Sequence, residues 1–146
     1  MKYRLIIDPH SEEEIVATVH APSALTEEIE NLILAYEGAD RIPAYHEQET
    51  VSLPFEEIEC LTVIDRKLVA ITTDGTRYRL RRRLCELEPL LPAYFVRINK
   101  STVVNQHRIR RFKSSFSGAV DAELLCGFTD YVSRRCFSAL KRRLGI

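Results

Sequence analysis

The sequence predicts a mostly-β (α+β) protein: small antiparallel sheets with short helices over residues 42–146, preceded by a small acidic ββα segment over residues 1–41. Three observations predict it. From Val51 onward the apolar residues come in short runs, several alternating with polar ones, as strands with one covered face do. Charged or glycine-containing turns separate the runs, among them Asp65-Arg66-Lys67, Asp74-Gly75 and Ser117-Gly118. Helical spacing is confined to one stretch before residue 40 and two small ones after it.

The elements follow in order. Residues 3–7 are rich in Ile and Leu and read as a strand, and Asp8-Pro9-His10-Ser11 as a turn. Ile15, Ala17 and Val19 alternate with Val16, Thr18 and His20 as a second strand. Thr26 stands where a helix N-cap is wanted, with Glu27 and Glu28 in a first turn that favours acids. Ile29, Leu32, Ile33 and Tyr36 then share one face, and Gly38 ends the helix. So small a piece does not stand alone; it needs the rest of the chain or a second copy to pack on. Residues 39–47 read as a join.

Val51, Leu53 and Phe55 alternate as a strand. Ile58, Leu61, Val63 and Ile64 lead into the charged tip at Arg66 and Lys67, and residues 68–72 return from it. Asp74-Gly75 is expected as a two-residue hairpin turn, because glycine supplies the positive φ such turns need. Tyr78 and Leu80 carry the next strand. Leu84, Leu87, Leu90 and Leu91 take helical spacing, closed by Pro92. Residues 95–98 and 102–104 are short strands, and residues 109–116 and 119–126 flank the turn at Ser117-Gly118. Ser133 reads as the N-cap of a last helix, with Phe137, Leu140 and Leu144 on one face and Gly145 after it.

Composition narrows the function. About 45% of the 146 residues are apolar, enough for a core without disulfides. Cys60, Cys85, Cys126 and Cys136 form no CxxC pair, so reduced thiols are expected rather than a disulfide framework or zinc site. No apolar run approaches the roughly 20 residues of a membrane helix. The opening residues Met1 to Asp8 bring an acid before any long apolar region, unlike a signal peptide, so a cytoplasmic protein is expected. The four histidines show no HxH or HExxH spacing, and the five glycines form no phosphate loop. No catalytic constellation, metal site or cofactor is expected, and the chain does not read as an enzyme.

Net charge is zero, but it is unevenly spread. Residues 1–50 hold 3 basic and 11 acidic side chains, whereas residues 51–146 hold 18 basic and 10 acidic. A basic C-terminal face able to neutralise phosphates is therefore expected. Its candidate contacts are polar tips that break apolar strands. Asn99, Lys100 and Ser101 interrupt the run between Ile98 and Val103; Asn suits adenine, and Lys suits guanine or phosphate. Arg134 and Arg135 follow the expected N-cap Ser133. Cations in a first helical turn oppose the dipole, at about 0.3–1 kcal/mol each, and a bound phosphate would turn that conflict into a fit. The ordinary alternative is that both are solvated or pair with Asp130. Arg66 and Lys67 make a third tip. Arg97 and Arg110 are further candidates on strands, and Arg81-Arg82-Arg83 is either a phosphate contact or a solvated helix start.

Residues from about 42 to 144 resemble the LytTR DNA-binding domain of bacterial transcription regulators. The resemblance is carried by Glu57-Ile58-Glu59, Asp74-Gly75, Leu84 with Leu87, the run from Phe95-Val96-Arg97 to Ser101, Val103-Val104-Asn105, and Val132-Ser133-Arg134-Arg135. It implies an elongated stack of small antiparallel sheets whose end loops enter successive major grooves on one face of a duplex. By position it implies contact loops at Arg66 and Lys67, at Asn99 and Lys100, and at Arg135 with Arg134 beside it. Family members often have His where Asn99 stands. Only some forty residues precede the matching part, too few for a phosphoreceiver domain, so the layout resembles small stand-alone regulators. That implies double-stranded promoter DNA bound as a homodimer on repeated half-sites and, by analogy, an inhibitory multi-pass membrane protein as partner. The alternative is a protein-interaction module or anti-activator that keeps the shape and does not bind DNA; loss of the basic tips would mark it.

Overall fold

The computed structural model describes residues 1–36 and 40–146, and the chain divides into two units, Met1–Ile33 and Leu34–Ile146. The helix α1 (Ala24–Ala35) begins one turn earlier than the position of Thr26 suggests. Ser23 takes the cap position, and Thr26 sits in the first turn with its hydroxyl accepting the Ser23 N–H at 2.8 Å. The expected strands at 3–7 and 15–19 are not formed: no regular structure is assigned before Ala24. Two short runs give at most a hairpin within the first unit, and an isolated hairpin is marginal in water. Tyr3, Ile7 and Val16 are accordingly more than three-quarters exposed. Gly38, expected to end the helix, lies outside the described residues.

The second unit holds the β structure. Its strands are β1 (Arg41–His46), β2 (Glu49–Pro54), β3 (Ile58–Ile64), β4 (Lys67–Thr72), β5 (Arg77–Leu80), β6 (Phe95–Asn99), β7 (Thr102–Asn105), β8 (Ile109–Ser114), β9 (Val120–Leu124) and β10 (Thr129–Val132). A seven-stranded antiparallel sheet runs β2-β1-β5-β4-β3-β7-β6, and a three-stranded one runs β10-β9-β8. The helices are α2 (Leu84–Leu87), continued by a 3-10 turn over Glu88–Leu90, and α3 (Arg134–Leu144).

Alternation along the central strands builds two cores, because successive residues point to opposite faces. On one face Leu61, Leu68, Ala70, Leu80 and Val103 pack with Leu84 and Leu87 of α2. On the other, Cys60, Ile71, Val96 and Val104 pack with Ala122, Leu124 and Val132 of the small sheet and Leu140 of α3. The two sheets are also tied by Glu59, buried, whose Oε1 accepts the Cys126 N–H at 2.9 Å.

Three local differences from the sequence reading have physical causes. The expected join holds β1, whose Ile42 and Ala44 are buried; Pro43, which brings no N–H to a ladder, hid the strand. Between β4 and β5 the turn is a three-residue loop, closed by Thr72 N–H on the Thr76 carbonyl, with Gly75 at φ +84°. Asp74 holds it by accepting from the Thr76 N–H and the Thr72 hydroxyl, which lowers the Asp74 pKa. The strand β10, too short to read as a separate run, pairs fully with β9.

On the small sheet, Glu123 accepts from Arg111 and lies 3.1 Å from Lys113 Nζ. These hydrogen bonds hold its pKa down, from 4.5 to about 2. A depressed folded pKa contributes stability that is present above the unfolded value and lost as pH falls through the folded one. Unfolding followed against pH should therefore show stability falling between about 4.5 and 2, and Glu123→Gln should flatten that limb. An unchanged limb would show that the pair contributes nothing.

Candidate nucleic-acid interface

Strand register decides where the basic tips lie. The strand β3 runs toward its turn with β4, and β7 runs away from its turn with β6; the two pair with Thr62 opposite Thr102. Beyond that pair, Val63 N–H donates to the Ser101 carbonyl at 3.0 Å. The Arg66–Lys67 turn and the Lys100–Ser101 turn are thus neighbours at one end of the large sheet. The third segment joins them through Ser133, whose N–H donates to the Ile98 carbonyl at 2.8 Å. Arg134 and Arg135 therefore start α3 beside the Lys100 turn.

Each tip presents free charge. Arg66, Lys67, Lys100, Arg134 and Arg135 are exposed and form no ion pair among the described residues. Ser133 has the predicted cap geometry, its Oγ accepting the Cys136 N–H at 3.2 Å. The first-turn N–H groups of Arg134 and Arg135 have no intrahelical acceptor and face outward with the positive end of the dipole. At the first tip Asp65 and Arg66 both have positive φ, 50° and 65°. That turn suits strand twist but favours Gly or Asn, so an arginine there is held at a cost of roughly 1–2 kcal/mol.

A further cation, Arg81, stands at the same end. Leu80 pairs with Leu68 next to Lys67, so Arg81 leaves the sheet beside that turn. Its guanidinium lies 4.0 Å from the centre of the Tyr45 ring, and it is exposed. Sequence alone offered the run Arg81-Arg82-Arg83 without showing which end of a sheet it met.

Two expected contacts are turned inward. Asn99 is 1% exposed. Its amide nitrogen donates to Asp130 Oδ2 at 3.0 Å and to the Tyr131 carbonyl at 2.9 Å, and its Oδ1 accepts the Ser101 N–H at 2.8 Å. Reading adenine needs donor and acceptor presented together; here both amide protons and the oxygen are engaged inside, so Asn99 builds the turn. Arg97 is half-buried against Glu88, with Nε 2.9 Å from Oε2, and its Nη1 donates to the Asn99 and Lys100 carbonyls at 3.2 and 2.8 Å. The Glu88 hydrogen bond raises the Arg97 pKa. Arg97 thus braces the tip from beneath. Arg110 is exposed but sits at the wrong end of the small sheet: Ile109 pairs with Leu124, whereas Val132, which leads to Ser133, pairs with Val120 and hence Ser114. Its Nη2 donates to the Leu125 carbonyl at 3.2 Å. Ser101 is half-buried, with its backbone engaged on both sides and its hydroxyl without a partner among the described residues.

A stiff antiparallel scaffold with unpaired cations gathered at its hairpin ends has the build of a nucleic-acid-binding domain. Residues 48–145 match the LytTr DNA-binding domain family. The chain belongs to that family of DNA-binding regulator domains. It is similar over its whole length to proteins named as uncharacterized HTH-type transcriptional regulators from Staphylococcus aureus. For those of strains NCTC 8325 and bovine RF122 the identity is 30% over 149 residues, covering 100% of this chain and 99% of theirs. Its fold is also that of a solved LytTr DNA-binding domain of a putative methyl-accepting/DNA response regulator from Bacillus cereus. The TM-score is 0.68 at 22% identity, over 75% of this chain and 100% of that one.

The strained turn gives a test of what Arg66 does for the fold. Arg66→Gly removes the side-chain clash at positive φ while adding unfolded-state freedom, effects of similar size and opposite sign. Thermal unfolding should shift by less than about 1 kcal/mol. A larger loss would mean that the arginine side chain itself holds the turn.

Proposed function

We propose that this chain is a sequence-specific transcription regulator that grips double-stranded promoter DNA with its hairpin ends, on one face of the duplex. The observation that carries the reading is the gathering of Arg66, Lys67, Lys100, Arg134 and Arg135 at one end by the Val63–Ser101 and Ser133–Ile98 hydrogen bonds. Strand spacing puts about 10 Å between the first two tips, and the Ser133–Ile98 hydrogen bond sets the third beside the second. By the family resemblance, the loops at the sheet ends enter successive major grooves. Arg135 and Lys100 read bases. Arg66, Lys67, Arg81 and Arg134 meet phosphates, with the Ser101 hydroxyl beside them. A protein that binds promoter DNA works in the bacterial cytoplasm, and no step here calls for a cofactor or for catalysis.

Mobility shifts on a site selected from random DNA test this. Arg135→Ala and Lys100→Ala should each weaken the selected site by about 1–3 kcal/mol. Lys67→Ala and Arg81→Ala should weaken all sequences alike and lower the log–log salt slope by about 0.9 each. Specific binding undiminished in both Arg135→Ala and Lys100→Ala defeats the assignment.

The reading extends to two copies on repeated half-sites, joined through the first unit. Its support is the apolar surface carried there: Leu5, Ile6, Ile15 and Leu32 are each more than 60% exposed. Sedimentation should show a dimer for the full chain and a monomer for a variant lacking residues 1–33; an unchanged oligomeric state would sink the dimer role. The family resemblance adds a restraining multi-pass membrane protein as the partner for the same surface.

A further inference from the structure

We propose that Asp130 is a positioning residue for base reading: its carboxylate, with Asn99, Thr102 and Thr62, locks the three DNA-contact tips into one rigid unit. The assignment rests on the DNA-binding reading above and adds to it the device that sets the spacing of the reading side chains.

The network reaches a strand beside each tip: β3, then β6 and β7, then β10. Thr62, on β3 before the Arg66 turn, has its Oγ1 2.7 Å from Thr102 Oγ1. Thr102, on β7 just after the Lys100 turn, donates that hydroxyl to Asp130 Oδ2 at 2.7 Å. The same carboxylate oxygen accepts from Asn99, at the end of β6, at 3.0 Å. Asp130 lies on β10, four residues before Arg134, and its Oδ1 accepts the Tyr131 N–H at 2.9 Å. Thr62, Asn99 and Thr102 are at most 4% exposed. Asp130 itself is half-buried, and hydrogen bonds that reach into a low-dielectric interior are stronger and stiffer than the same bonds at a surface. The network therefore fixes tip relative to tip, not only each turn within itself.

The chemistry of Asp130 argues for positioning rather than for incidental packing. An acid at a phosphate-facing end works against binding unless its charge is held inward. The obvious partners for this carboxylate are Arg134 and Arg135, and pairing there would neutralise the cations that DNA needs. Instead both oxygens are engaged by neutral donors, an amide, a hydroxyl and a backbone N–H. The arrangement ties the half-buried acid to neutral donors and leaves the arginines free. It also explains why Asn99 is turned inward: its amide orientation is fixed by two acceptors on one side and an N–H donor on the other.

Asp130→Ala breaks the link with limited damage, because Thr102 keeps Thr62 and Asn99 keeps the Tyr131 carbonyl and the Ser101 N–H. Thr102→Val removes two bonds, to Thr62 and to Asp130, and leaves the carboxylate with Asn99. The full-length variants are compared with wild type on the selected site and on random-sequence DNA across a salt series. The expected result is a loss of at least about tenfold on the selected site for Asp130→Ala, with Thr102→Val in between. Affinity for random DNA should not fall, and the salt slope should stay as in wild type, because no phosphate contact is removed. Amide exchange at Ser101 and Ser133 should quicken while Leu124 in β9 is unaffected. A selected-site affinity kept within about twofold overturns the proposal, and so does a parallel loss on selected and random DNA. If Asp130→Ala does not fold, Thr102→Val decides by the same readings. Failure of the wild type to discriminate any sequence would defeat the DNA-binding reading itself, an outcome distinct from discrimination that survives in the variants.

Discussion

Two backbone hydrogen bonds at the end of one sheet hold the functional surface together: Val63 to the Ser101 carbonyl and Ser133 to the Ile98 carbonyl. Each joins segments distant in sequence, and each is the last rung before the chain leaves the sheet. Backbone pairing of this kind cannot slip by one residue without turning every buried side chain to the wrong face. The two cores on either side of β3, β4 and β7 therefore act as the clamp on register. Leu61 and Val103 commit to one core and Cys60 and Val104 to the other. The tips are carried where that register sends them.

Charge at this end is sorted rather than merely abundant. Two of the acids nearby are turned to structural tasks: Glu88 holds Arg97, which in turn braces the Asn99 and Lys100 carbonyls, and Asp130 holds Asn99 and Thr102. The exposed cations are left without acid partners. Their mutual repulsion and the positive φ of Arg66 both work against the folded state, and a polyanion relieves the repulsion on binding. The relatives named as HTH-type regulators raise a useful contrast, since in this chain the gathered cations sit on hairpin ends and at the start of a single helix. Rigidity here comes from β ladders and a buried polar chain.

How far the candidate site was legible depended on the residue. Lys100, Arg134 and Arg135 could be found as polar breaks in apolar runs, because burial of Ile98, Val103 and Val132 forces the intervening side chains outward. Asn99 is one such break that faces inward. Nothing local distinguishes it from Lys100; its partners lie 31 and 32 positions away. Arg97 reads as a free strand cation until the turn at Glu88 brings a carboxylate against it. Arg110 and Arg81 exchange standing for a topological reason: the first lies at the far end of its sheet and the second beside Lys67, and only strand order could say so.

The sequence by itself determined the local structure and chemistry: the alternation that makes β3, β4 and β7 two-faced, the Ser133 cap, the glycine turns, and a basic C-terminal part. These rest on interactions within a few residues, which composition and spacing encode directly. It overstated the first unit, where residues 3–7 and 15–19 have strand-like composition but give at most a hairpin, and it missed β1 behind Pro43. Only the tertiary structure decided which cations share an end, which polar side chains turn inward, and that one carboxylate links all three tips. Those outcomes depend on pairings between residues thirty to forty positions apart. Such long-range contacts are settled by burial and register of the whole sheet, which no short window of sequence contains.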